Sequence, residues 1–446
     1  MANAGIAGAD KLPAQASSNG HGLGLNYLED CVHCGLCLAS CPTYLTTGVE
    51  MSSPRGRIAM VRAFGDGRGA FGSELVRHLD QCLGCLACQA ACPSGVVYGR
   101  MLETARETIE QRYPRPAMDR WTRRLLVNLF PYPGRLRWLL HGLYWYQRLG
   151  IAQVVRAAKL LAIVPRLARM EAALPPVPAP SSWNGLPERT PAVGVRRGTV
   201  GLLVGCAQRF FLPDLNRATV SVLAAAGYEV FVPAEQPCCG ALHLHSGDLN
   251  EARRLARGVM AAFERGNVDL VVANAAGCGA AMKEYRDLFH DTPEWEGRAE
   301  AFSARVRDVS EVLAHVSWKG TLKPVPVSVA YHDACHLAHA QRIRVEPRTV
   351  LRQIPGLRLI EMEESDVCCG SAGIYNLLQP GMAEPLLERK IARIREADAD
   401  FVAAGNIGCL LQIRKGLKDA GCRTQAIHPV ELLDWSLGGN ARRQPR

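Results

Sequence analysis

The chain has 446 residues, 48% hydrophobic and 21% charged, with 17 cysteines and a formal net charge of +10. That length exceeds one ordinary core and predicts two to four domains, and the composition excludes a mostly disordered chain. The charge is local: Gln111 to Met170 holds twelve basic residues against the single acid Asp119, so the rest of the chain is close to neutral.

Residues 1–22 are small and polar and read as a disordered tail. They lack the basic and apolar regions of a secretory signal, so a cytoplasmic location is expected. In a large chain without such a signal, many cysteines point to metal ligation rather than to disulfides.

Residues 23–110 carry two matching runs, Cys31-x2-Cys34-x2-Cys37-x3-Cys41-Pro42 and Cys82-x2-Cys85-x2-Cys88-x3-Cys92-Pro93, related cysteine by cysteine at an offset of 51. Three thiolates spaced by two residues wrap one face of a [4Fe–4S] cubane, while the fourth, held by the turn into proline, reaches the neighbouring cube. The expected ligands are therefore Cys31, Cys34, Cys37 and Cys92 for one cluster, and Cys82, Cys85, Cys88 and Cys41 for the other. Paired structural zinc sites, built from separated CxxC pairs, fit these runs poorly. Between the runs, Ser53-Pro54-Arg55-Gly56-Arg57 reads as an ordinary turn with solvated arginines.

Residues 111–172 form a basic, aromatic helical segment containing Trp121, Trp138 and Trp145. Its longest uncharged runs are about ten residues, short of the ~20 that span a bilayer. Residues 173–196, rich in proline and small residues, read as a linker.

From residue 197 onward strands and helices alternate, which predicts a parallel α/β layer. Strands are expected at Thr199–Val204, Tyr228–Val232 and Val268–Ala273, with helices at Asp214–Ala226 and Asp248–Arg265. The pattern returns with strands at Val325–Ala330 and Asp400–Ala404 and a helix at Met382–Glu396. Cys206, Cys238, Cys239 and Cys278 in the first half match Cys335, Cys368, Cys369 and Cys409 in the second at offsets of 129 to 131. That is an internal duplication, dividing this part into residues 197–318 and 319–446. Both cysteine sets are candidate metal or cluster ligands, against the alternative that buried cysteine is simply a small apolar residue. His332, His336 and His339 surround Cys335, and of these His332 and His336 are candidate ligands or proton shuttles, whereas His243 and His245 read as ordinary surface or capping histidines. The fold class is α+β multidomain: a helical two-cluster ferredoxin-like domain followed by a duplicated α/β half.

With both CxxCxxCxxxCP runs, Ser53-Pro54-Arg55-Gly56-Arg57, two Cys-Cys-Gly triplets, and Tyr331-His332-Asp333-Ala334-Cys335-His336-Leu337-Ala338-His339-Ala340-Gln341, the chain resembles the iron–sulfur subunits of glycolate oxidase. These belong to a wider group that joins a two-cluster ferredoxin segment to two cysteine-rich CCG domains. The resemblance implies an electron-transfer subunit that takes electrons from flavin-bearing (FAD) subunits oxidising glycolate to glyoxylate and passes them toward a quinone or other respiratory acceptor. It also leaves open the sister complexes for lactate utilisation and anaerobic glycerol-3-phosphate oxidation, and a CCG half that itself reduces a disulfide or quinone. Heterodisulfide-reductase relatives close each CCG domain with CxxC, but here Ala281 and Gln412 stand at the closing positions. The chain has no dinucleotide fingerprint of its own beyond a loose match at Gly65, Gly67 and Ala70, so the flavin is expected on a partner. The basic segment is expected to pack on the cluster domain, with peripheral contact to the inner membrane as a second use; no nucleic-acid partner is expected.

Overall fold

The computed structural model describes residues 24–439 except 70, 162–167, 169, 172–173, 184 and 319. The stretch expected to be a disordered tail, and Ala70 of the loose glycine match, lie outside the described residues.

The N-terminal region is helical, with helices Pro42–Thr47, Pro54–Gly65, Ser73–Asp80 and Tyr98–Arg112 around a core of Leu28, Val61, Leu79, Met101 and Ile109. Ser53, Pro54 and Gly56 start the second of these helices rather than a solvent turn. The Ser53 hydroxyl accepts from the Gly56 amide at 2.9 Å, and Pro54 occupies the first turn, where no amide is needed. A Cβ on Gly56 would sit 1.9 Å from the Glu50 carbonyl oxygen, so only glycine fits.

Helices Ala117–Leu129, Pro133–Arg148 and Ile151–Ala157 form the basic segment. Arg115 and Arg123 anchor it, both reaching Asp80 at the end of a ferredoxin helix, at 2.7 and 3.1 Å. Trp183 packs edge-on against Phe210 and His141, which fastens the segment to the next domain. No described helix is long and apolar enough to cross a membrane.

The duplicated half contains two sheets. The first has strands β1 (Arg189–Thr190), β2 (Gly198–Leu203), β3 (Tyr228–Phe231), β4 (Leu270–Ala273) and β5 (Val306–Asp308) in the order β1-β3-β2-β4-β5; only β1 is antiparallel. The second has β6 (Ser328–His332), β7 (Arg358–Ile360), β8 (Phe401–Ala404) and β9 (Gln425–Ile427) in the order β7-β6-β8-β9, all parallel. Thus β2, β3, β4 and β5 of the first half correspond to β6, β7, β8 and β9 of the second. Strand β1 arises within the stretch expected to be a linker. Strand β6 begins at Ser328 rather than Val325, because Pro324 and Pro326 cannot donate to the ladder. One apolar core runs through both halves, from Val200 and Leu202 to Val329, Phe401 and Leu432, with helix Pro213–Ala225 packed against helix Pro429–Ser436.

Candidate functional site

Both ferredoxin runs fold around their sulfurs by the same local device. His33 and Gly35 have φ of 55° and 84°, and Gly84 and Leu86, 51 residues later, have φ of 64° and 61°. Left-handed backbone at a histidine and a leucine costs about 1–3 kcal/mol each and survives where the surroundings impose it; here it turns successive cysteines toward one centre. Cys31, Cys34, Cys37 and Cys92 line one small pocket, which Cys88 also borders. Cys41, Cys82, Cys85 and Cys88 are buried, whereas Cys34 is exposed.

Arg57 lies against the buried set. It is 1% exposed, donates to the His78 carbonyl at 2.7 Å and the Thr43 hydroxyl at 3.0 Å, and points a third nitrogen at Cys41 Sγ, 4.0 Å away. The reading of Ser53–Arg57 as a turn with solvated arginines is therefore corrected for Arg57: its helix carries it inward. Burial pushes the Cys82 thiol up, but Arg57 and Arg106 outweigh that and hold it below the ordinary thiol range. Burial and neighbouring sulfurs push Cys85 and Cys88 well up. Buried thiols that repel one another's ionised forms become a stable thiolate set when a cationic metal group shares their charge, so this donor set fits a cluster.

In the duplicated half every cysteine of the two sets sits beyond the carboxyl end of a strand, the edge where α/β sheets gather ligands. Cys206 follows β2, Cys238 and Cys239 follow β3, and Cys278 lies in the helix after β4; Cys335, Cys368, Cys369 and Cys409 repeat this after β6, β7 and β8. Gly240 and Gly370, with φ of 83° and 82°, make the turns that aim the double cysteines. The two edges face each other: the Ala276 amide donates to the Gly405 carbonyl at 3.0 Å and the Gly277 amide to Asn406 Oδ1 at 3.3 Å. Both cysteine sets line one apolar cavity of about 1430 Å³, roofed by Leu125, Leu129, Phe130 and Leu143 of the basic segment.

The two sets differ electrostatically. Cys238 Sγ and Cys206 Sγ are 3.5 Å apart. Hydrogen bonding with Cys238 and burial push Cys206 up, and Cys238 and Cys239 rise as well, each caught between a neighbour that lowers it and one that raises it, with burial adding to the rise. In the second half a hydrogen bond from Cys368 holds Cys335 well down against burial, helped by His336, whose Nδ1 is 3.6 Å from the sulfur. Hydrogen bonds from Cys368 and Cys409, with a smaller contribution from His332, hold Cys369 down likewise. Hydrogen bonding with those same two sulfurs, together with burial, pushes Cys368 and Cys409 well up, so the second half pairs lowered with raised thiols whereas Cys206, Cys238 and Cys239 of the first are all raised.

Sequence reasoning treated His243 and His245 as ordinary surface or capping groups. His243 is buried and pairs with Asp248 at 3.0 Å. His245 instead belongs to a half-buried cluster: its ring centre is 5.2 Å from that of His336, and its Nδ1 is 3.4 Å from Glu103 of the ferredoxin domain. Glu284 joins them, its carboxyl pushed up to about 7, first by burial and then by Glu103. His339 binds the Asp366 carbonyl and Arg344. No spacing rule announces Glu103 or Glu284, because they come from separate domains.

Fold and sites together define a class: a two-cluster ferredoxin domain joined through helices to paired cysteine-rich α/β domains. Family models agree along the chain, with a 4Fe-4S dicluster domain at residues 27–96, the linker region of the glycolate oxidase iron-sulfur subunit at 118–174, and the cysteine-rich CCG domain at 200–283 and 329–414. The chain is 41% identical over 414 residues to the probable glycolate oxidase iron-sulfur subunit of Bacillus subtilis (strain 168), covering 91% of this chain and 93% of that one. It is 32% identical to the glycolate oxidase iron-sulfur subunit of Escherichia coli (strain K12), covering 92% and 94%. Lactate utilization protein A of Geobacillus kaustophilus (strain HTA426) is 31% identical but matches only 53% of this chain while using 98% of its own length. A crystal structure of a hypothetical protein from Helicobacter pylori shares the fold, with a TM-score of 0.55 at 11% identity over 89% of this chain and 70% of that one. The chain belongs to the glycolate oxidase iron–sulfur subunit family.

Proposed function

We propose that the chain is the electron-relay subunit of a glycolate-oxidising complex, receiving electrons from a flavin-bearing partner subunit where glycolate becomes glyoxylate and delivering them to a quinone or other respiratory acceptor. The observation that carries this reading is the contact between the ferredoxin domain and the second cysteine set: Cys85, Leu83, Cys335, Cys368 and Tyr375 share one buried patch. The Tyr375 hydroxyl donates to the Gln81 carbonyl at 2.8 Å, and Arg106 donates to the carbonyls of Cys82 at 2.6 Å and His245 at 2.8 Å. These bonds hold the buried ferredoxin sulfurs against the CCG half.

In this reading Cys31, Cys34, Cys37 and Cys92 hold the outer cluster and Cys82, Cys85, Cys88 and Cys41 the inner one, with a further iron–sulfur group in the CCG half. Bound [4Fe–4S] groups supply one-electron transfer. The chain's own residues supply the surroundings: Arg57 and Arg106 offset thiolate charge beside Cys82, and buried apolar side chains exclude water. The apolar cavity that reaches both CCG sets suits a lipophilic acceptor. Trp121, Trp138 and Trp145 stand exposed among arginines, a surface suited to flavin subunits or to an anionic membrane face.

The test is to purify the chain anaerobically with its partners and follow cluster reduction by electron paramagnetic resonance. Reduction by glycolate, and not by lactate or glycerol-3-phosphate, is expected. Clusters that stay oxidised with glycolate would end the assignment and move the chain to a sister complex.

A further inference from the structure

The closing position of the second cysteine set is Gln412, whose side-chain oxygen is taken up by Asn376 at 2.9 Å. A different side chain faces the open sulfurs. His332, the last residue of β6, is 0% exposed. Its Nδ1 lies 2.9 Å from the Ser365 carbonyl oxygen, which can only accept, so Nδ1 carries the proton and Nε2 presents its lone pair. That Nε2 is buried without a hydrogen-bond partner. One ligand atom each from His332, Cys369 and Cys409 lie within 4.8 Å of one another.

A neutral imidazole, oriented by a backbone carbonyl and aimed at two thiols, is the arrangement of a metal-ligating histidine. A buried nitrogen left unpaired otherwise costs free energy with nothing in return. The position does not repeat in the first half: counting back by the offset that relates Cys335 to Cys206 places Leu203 where the second half has His332.

We propose that His332 Nε2 is a ligand of the metal group of the second half, completing a mixed nitrogen and sulfur set with Cys369 and Cys409 where the closing cysteine is missing. This rests on the reading that the second half holds an iron–sulfur group. Replacing thiolate by imidazole makes such a group easier to reduce. The second half is then the electron sink of the chain, next to the inner ferredoxin sulfurs.

The experiment uses the full chain with its partner subunits, isolated anaerobically from cells grown on unlabelled or 15N-labelled histidine. Iron, sulfide and zinc are quantified, and pulsed electron paramagnetic resonance is recorded on the reduced complex. The expected result is iron beyond that of the two ferredoxin cubanes and a nitrogen hyperfine coupling that changes isotope with the label. His332→Cys should keep the extra iron and lose the coupling. His332→Ala should lose the extra iron while the ferredoxin signals remain, which separates ligation from misfolding. Extra iron without a histidine coupling, or extra iron unchanged in His332→Ala, overturns the proposal. No metal beyond the two cubanes overturns the cluster reading beneath it. Zinc in place of iron also overturns that reading, whereas a zinc–nitrogen distance in X-ray absorption, lost in His332→Cys, upholds the ligand.

Discussion

The two CCG domains share the order of their parallel strands, nearly the same cysteine spacing and the same left-handed glycine after the double cysteine, yet their sulfurs stand in different fields. In the first domain Cys206, Cys238 and Cys239 are all pushed toward the neutral thiol. In the second, Cys335 and Cys369 are held toward the thiolate, with His336 and His332 beside them. The first domain has Ala207 and Leu203 at those two positions, counted by the same offset. Duplication preserved the frame, while the contacts among the sulfurs and the histidines beside them set the two copies apart.

The largest expected effect tests that asymmetry directly. Cys368→Ser should abolish glycolate-driven reduction of the acceptor in the intact complex, whereas Cys238→Ser, its first-half counterpart, should leave most of it. Steady-state turnover alongside the ferredoxin resonance signals decides between them; equal losses would break the comparison.

A smaller effect tests what the halves share. A Cβ on Gly370 would meet the Ala383 carbonyl oxygen at 2.7 Å, and one on Gly240 the Ala252 carbonyl oxygen at 3.1 Å, both at positive φ. Alanine at Gly370 should cost about 2–3 kcal/mol and at Gly240 about 1–2 kcal/mol, read as unequal falls in denaturation midpoint.

The smallest effect concerns the helix caps after β5 and β9. Asp308 caps helix Val309–Ala314 and His428 caps helix Pro429–Ser436, each in a capping box. Burial pushes Asp308 up to about 6 from 3.8 and His428 down to about 3 from 6.5. A raised acid gives stability that is present below pH 3.8 and lost as pH rises through about 6; a lowered histidine gives stability that is present above pH 6.5 and lost as pH falls toward about 3. Acidification from pH 6.5 to 4 should therefore widen the melting-temperature deficit of Asp308→Asn relative to the parent chain and narrow that of His428→Asn. Parallel profiles would show that the two caps do not titrate differently.

The repeat, the parallel α/β layers, the central strands and the ferredoxin-like segment were legible in the sequence because they rest on spacing and periodicity. Strands β1, β5, β7 and β9 were not, since each is only two or three residues long and carries no alternation to read. Arg57 was misread because local sequence shows a Ser-Pro cap and charges but not which face of the helix they occupy. The cluster of Glu103, His245, Glu284 and His336 was invisible for a different reason: three domains build it, and no local pattern encodes their meeting. The electrostatic contrast between the CCG halves depends on contacts between cysteines that spacing alone does not supply.

The patch joining Cys85 to Cys335 and Cys368 also constrains how the protein is made. Cys82, Cys85 and Cys88 are each no more than 8% exposed, and residues of the second CCG domain cover part of them. An iron carrier cannot reach sulfurs behind a closed interface. If these sulfurs hold the cluster proposed above, its loading is expected to precede the docking of the second CCG domain, which would make cofactor loading a step in the folding order.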